Sequence, residues 1–191
     1  MRIDKIIALC GLVISFQVMS APFGNAPGAT EKTAKVETQV TTILLQPKKI
    51  SDSSGLVYVG GYVQESSLTS YLSQMDNTLG KEFVIYRAGQ QKRDHNQFHI
   101  TLVNPFEFKA LTSEQQTQLL ANKKSIKVNL LGLGSVKSDN GRAFFVVAES
   151  EQGQQLRNSL DLADKDFHVT LGFSPSDIHG VKKDKSTLLN K

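Results

Sequence analysis

Between residues 56 and 173 the apolar positions switch back and forth between a spacing of two and a spacing of three to four, the marks of strand and helix. Leu56 to Val63 predicts a strand, interrupted by Gly60-Gly61. Leu68, Tyr71, Leu72, Met75 and Leu79 recur at helical spacing within Glu65 to Leu79, and Gly80 supplies the stop. Glu82 to Arg87 predicts a strand, and the polar run Ala88 to Asn96 a loop. Gln97 to Val103 is a strand ended by Asn104-Pro105. A helix follows over Ser113 to Asn122, capped by Thr112 with Gln115 as capping-box partner. Strands at Ser125 to Leu133 and Ala143 to Glu149 flank a hairpin region around Ser138 to Gly141. A third helix, Gln152 to Leu162, carries Leu156, Leu160 and Leu162, and a last strand runs from Asp166 to Phe173. The order β-α-β-β-α-β-β-α-β predicts an α+β domain. It would have two pseudo-symmetric lobes of antiparallel sheet with helices on the outer faces.

One pattern occurs twice in this series. Residues 98–102 read Phe-His-Ile-Thr-Leu and residues 167–171 read Phe-His-Val-Thr-Leu. Strand alternation puts His99 and Thr101 on one face and Phe98, Ile100 and Leu102 on the other. His168 and Thr170 stand in the same relation to Phe167, Val169 and Leu171. Two strands that bury apolar side chains behind and offer His-x-Thr in front predict two halves of one site facing a central cleft.

The ends of the chain read differently. Arg2 and Lys5 precede an apolar run over residues 6–19, then Ser20 and Ala21, the form of a secretory signal peptide. Pro22 disfavours a cut after Ala21, so cleavage is expected after Ser20. The run is short for a membrane span. Residues 21–42 are rich in Ala, Thr, Gly, Pro, Glu and Lys, and a flexible linker is expected over 21–50, with folding beginning between Ile43 and Leu56. The domain is then 51–181 and the Lys-rich stretch 182–191 a fraying tail. An exported protein without stable membrane association is expected, and a monomer.

Composition narrows the chemistry. The only cysteine, Cys10, lies in the leader, so a mature chain cut after Ser20 offers neither thiolate nucleophile nor disulfide. Losing Arg2, Lys5 and Asp4 with the leader takes the formal charge from +4 to +3 (20 basic against 17 acidic residues). That suits an anionic substrate without marking a nucleic-acid binder. Tryptophan is absent, so no extended base-stacking platform is evident. His95 and His99 are four apart, but along a strand this separates them by roughly 13 Å, which argues against a zinc pair. Gly60-Gly61 and Gly132-Leu133-Gly134 lack the Lys-Ser/Thr of a phosphate loop and read as strand kinks or bulges. No Gly-x-Ser-x-Gly elbow is present for a serine triad.

Two His-x-Thr strands in one small α+β chain resemble the two-histidine (2H) phosphoesterase superfamily, which includes RNA cyclic phosphodiesterases. The extended second copy, Phe167-His168-Val169-Thr170-Leu171-Gly172-Phe173 with Asp177-Ile178-His179, is most similar to its Swiss-army-knife RNA-repair-like group. The resemblance implies metal-independent hydrolysis, without cofactor, of a nucleotide or RNA phosphodiester such as a 2′,3′-cyclic phosphate. Elementary chemistry agrees with it. In-line displacement needs a base and an acid on opposite sides of phosphorus, and two imidazoles fill both roles near neutral pH. Threonine hydroxyls can donate to non-bridging oxygens. His99 and His168 are thus the candidate catalytic pair, with Thr101 and Thr170 on the phosphate. The motifs are nearly symmetric and leave acid and base open; we lean to His99 as acid and His168 as base. Tyr86, Arg87, His95 and His179 are further candidates for substrate contact, each balanced by an ordinary loop or turn role. The alternatives are an oligonucleotide phosphodiesterase or nuclease using the same residues, and a secreted RNA- or nucleotide-binding module without turnover.

Overall fold

The computed structural model describes residues 40–121, 124–139 and 141–189. The expected signal peptide, most of the expected linker, Asn122, and Asn140 of the expected hairpin lie outside the described residues. Seven strands, β1 (Thr41–Leu45), β2 (Lys48–Ser51), β3 (Val57–Val63), β4 (Phe98–Val103), β5 (Ile126–Ser138), β6 (Gly141–Glu149) and β7 (Phe167–Pro175), pair antiparallel throughout. Their order in the sheet is β1-β5-β6-β7-β4-β3-β2. The described helices are α1 (Thr69–Leu79), α2 (Phe83–Arg93), α3 (Pro105–Ala110), α4 (Ser113–Ala121) and α5 (Glu151–Asn158). The protein is therefore α+β. Its two halves, β1-β5-β6-β7 and β4-β3-β2, join through the register pair Ile100↔Val169. Each motif strand is the innermost strand of its own half.

The core lies behind this seam. Phe98, Ile100, Leu102, Phe167, Val169 and Leu171 are buried with Phe144 and Val146 of β6 and with Leu68, Tyr71 and Met75 from α1 and the residue before it. Burying one such side chain contributes about 1.5–3 kcal/mol. Gly80 ends α1 with φ 52°. The Thr112–Gln115 capping box forms as expected, with its two bonds at 2.9 and 3.2 Å. The two glycine clusters do mark irregular pairing: the register shifts at Val59/Gly60 and at Leu130/Gly132.

Four expectations change. First, the strand expected over Glu82 to Arg87 and most of the loop expected over Ala88 to Asn96 are instead the helix α2, Phe83–Arg93, and only Asp94 to Asn96 form a turn. Its buried stripe is mostly polar, with Gln90 fully buried, while Val84 and Ile85 stay exposed at 68% and 57%. An apolar run of four therefore misled, because only Phe83 and Tyr86 of it turn inward. Gly89 fits because a Cβ there would stand 2.6 Å from the Phe173 carbonyl oxygen. Second, the boundary at residue 50 falls too late, because β1 and β2 belong to the sheet. They sit at its two ends, and each gives the core essentially one side chain, Leu45 or Ile50, so neither shows an apolar period. Third, the tail from Lys182 is tied down: Leu189 N–H donates to the Leu133 carbonyl (3.0 Å), Leu188 bridges Gly134, and Lys183 is buried. Fourth, α3 is an unexpected helix, started by Pro105 behind an Asn104–Glu107 capping box, and α5 stops at Asn158 instead of Leu162.

Candidate active site

Because Phe98, Ile100 and Leu102 face the core, β4 must turn His99 and Thr101 to the opposite, front face. β7 does the same with His168 and Thr170. Continuing the antiparallel register from Ile100↔Val169 sets His99 across from Thr170 and Thr101 across from His168. The histidines lie on one diagonal and the threonines on the other, with diagonal positions about 7–8 Å apart in such a sheet.

Each imidazole is backed by an aromatic ring from the flanking strand of its own half. Tyr58 of β3 tilts against His99 with centroids 5.1 Å apart, and Phe145 of β6 meets His168 edge-on at 5.6 Å. Of the Phe144-Phe145 pair, then, Phe144 is core and Phe145 faces the site. The Tyr58 hydroxyl also lies 3.1 Å from His99 Nε2. Burial keeps this phenol protonated by pushing its pKa upward. Burial also lowers the pKa of His99, with Asp94 pulling the other way.

His168 has a different neighbourhood. Its Nδ1 lies 3.4 Å from the Asp166 carbonyl oxygen and its Nε2 3.4 Å from Lys183 Nζ. Burial first, and the Lys183 charge second, hold its pKa well below the ordinary histidine value. Lys183 donates to Asp177 Oδ1 at 3.3 Å, and the other Asp177 oxygen pairs with Arg93. Arg93 in turn holds Asp94 through Nε (2.7 Å) and Nη2 (2.8 Å), and Gln90 donates to Asp94 at 3.0 Å. Burial pushes Asp177 up, but Lys183 and Arg93 outweigh it and bring its pKa down to about 2. A chain of fixed charges thus runs from the end of α2 to the second histidine.

His99 and Thr101 of β4 and His168 and Thr170 of β7 lie on neighbouring strands paired at Ile100↔Val169, and the other candidates lie on other elements. Tyr86 and Arg87 sit on the back of the sheet, which corrects the expectation that they reach substrate beside the motif strands. Tyr86 packs edge-on against the core ring Phe144, and the Arg87 guanidinium lies 4.5 Å from the centroid of Phe98 while donating to the Leu171 carbonyl. The change follows from α2 being a helix docked along β7. His95 is exposed in the turn before β4 with φ 52°, and His179 is exposed two residues past Asp177. Tyr58 and Lys183 were not singled out as site residues. Tyr58 shares strand parity with Tyr62, the register partner of His99, which is a readable signal. Lys183 has no local signal at all. Among the described residues no three His, Cys, Asp or Glu side chains gather as metal ligands.

Removing the Tyr58 hydroxyl tests its contact. Tyr58→Phe is expected to lower kcat about 3- to 10-fold, the worth of one hydrogen bond, with the ring packing kept. An unchanged kcat with a phosphodiester substrate would show that the hydroxyl does not serve His99.

An antiparallel α+β sheet with a His-x-Thr sequence on each of its two central joining strands fits the 2H phosphoesterase class. Within it, the profile described as Swiss Army Knife, 2H phosphoesterase domain, matches residues 66–179, more than half of the chain, and the chain belongs to that family. No curated protein and no solved structure matches it.

Proposed function

We propose that the chain is a metal-independent phosphodiesterase that opens a 2′,3′-cyclic phosphate on a nucleotide or an RNA end. What carries the reading is the diagonal pair His99 and His168 on the front of β4 and β7, with Thr101 and Thr170 on the crossing diagonal. One imidazole takes a proton from water as its oxygen attacks phosphorus. The P–O bond to one ribose oxygen breaks, and the other imidazole protonates that oxygen, leaving a phosphomonoester. The threonine hydroxyls donate to the non-bridging oxygens as charge grows there. Both proton transfers are supplied by side chains, so this chemistry calls for no metal. The leader-like residues 1–20 support an exported protein, and its expected substrates are nucleotide fragments, acted on by a monomer. Among the described residues no helix is long and apolar enough to cross a membrane.

The test is product analysis with 2′,3′-cyclic nucleotides and short RNAs in the presence of EDTA. Conversion to a 2′- or 3′-monophosphate that resists EDTA is the expected result. Activity lost to EDTA and restored by a divalent ion would overturn the mechanism. Cleavage only of internal RNA linkages would favour a nuclease, and binding without turnover a nucleotide-binding module.

A further inference from the structure

The near-symmetry of the two motifs is broken by what stands at each Nε2. At His99 it is a phenol, which can donate or accept; at His168 it is an ammonium, which can only donate. A nitrogen that faces a donor-only group must offer its lone pair. The Asp166 carbonyl beside Nδ1 can only accept, so the ring's single proton belongs on Nδ1. We propose that Lys183 is a positioning residue that fixes His168 as the neutral proton acceptor and thereby leaves His99, as an imidazolium with Nε2–H on the Tyr58 oxygen, as the proton donor. The inference rests on the two-histidine reading above and deepens it by giving the reaction a direction.

Lys183 suits the role because it is itself fixed. Only 4% of it is exposed, its backbone N–H donates to Asp166 Oδ2 at 3.2 Å, and its ammonium is held by Asp177 while lying 5.4 Å from the Phe145 ring centroid. Asp166 thus binds both the lysine and the histidine it faces. The charged and polar groups around His168 are Lys183 and Asp177 from the segment after β7, Lys165 before it, Arg93 reaching from α2 through Asp177, and Thr101 across the seam on β4. The two lysines oppose protonation of His168 and Asp177 favours it. With the carboxylate already shared between Lys183 and Arg93, the lysine at Nε2 prevails. Lys183 lies beyond the 66–179 span that matches the family, so the family match does not itself cover this residue.

The test reads His168 directly. In the full-length protein, ¹⁵N and ¹H NMR should show a neutral His168 with the proton on Nδ1 across the neutral range. In Lys183→Met its titration should move to higher pH, because the opposing charge is gone while Asp177 stays. The acidic limb of kcat/KM should follow, with a loss of about tenfold near pH 5.5, one pH unit being worth a factor of ten. Lys183→Arg, which keeps the charge, should hold the titration low. Should the methionine variant fail to fold, Lys183→Gln takes its place, and the wild-type tautomer alone still decides. An Nε2–H tautomer in the wild type, or a titration unmoved in a folded variant, overturns the inference. The two readings fail separately. If His168 shifts as expected but no cyclic phosphodiester is turned over, the proposed function falls and the role of Lys183 stands; turnover with an unmoved titration gives the reverse.

Discussion

His99→Ala and His168→Ala are each expected to lower kcat on a cyclic phosphodiester by about 10²- to 10⁴-fold, the range that general acid or base catalysis supplies. Neither change should cost more than about 1 kcal/mol of stability, because the core members of both strands point the other way. The double variant should fall little below the worse single one, since each removes half of one proton relay and the halves act as a unit. Single-turnover rates with far-ultraviolet circular dichroism on the same samples check this. A folded single variant with near-wild-type kcat would sink the two-histidine mechanism.

How much of this site could be read in advance depended on whether its signal was local. The Phe-His-x-Thr-Leu repeats carry their own strand period, so the face of His99, Thr101, His168 and Thr170 follows from alternation alone. The α+β class followed from the switching of period for the same reason. Elements that draw stability from outside themselves were missed or misread. Helix α2 buries Gln90, whose amide donates to Asp94 and to the Gln97 carbonyl, and polar residues satisfied by tertiary partners look like loop in a hydropathy pattern. Strands β1 and β2 contribute mainly backbone pairing at the sheet ends. Lys183 illustrates the limit most sharply. In a run of lysines it looks solvated, and only the fold shows Asp166, Asp177 and His168 converging on it.

A second polar cluster, away from the site, should control stability. Arg157 of α5 is 2% exposed and makes a two-pronged pair with Glu107 of α3, at 2.8 and 3.0 Å. It also donates to the Leu102 and Ala163 carbonyls at 2.7 and 2.8 Å, tying α5 and α3 to the end of the first motif strand. Glu107 meanwhile closes the α3 capping box through Asn104 N–H at 2.8 Å. Glu107→Gln is expected to cost about 3 kcal/mol, read as a lower urea midpoint at unchanged m, because it strands a buried guanidinium without its counter-charge. Adding Arg157→Met should recover part of the loss, since the uncompensated charge is then gone. If the double variant is instead less stable by the sum of both single losses, Arg157 acts through its carbonyl contacts and not through the ion pair. Acid gives an independent reading. Burial pushes the Glu107 carboxyl upward, but the Arg157 and Asn104 hydrogen bonds outweigh it and hold the pKa below the ordinary glutamate value. The pair's contribution is therefore complete above the unfolded carboxyl pKa of about 4.3 and is lost as pH falls through the lower folded value. The stability gap between wild type and Glu107→Gln should accordingly be constant from neutral pH down to about 5 and close in stronger acid. A gap that persists in strong acid would assign it to packing of the side chain, with the carboxylate charge contributing nothing.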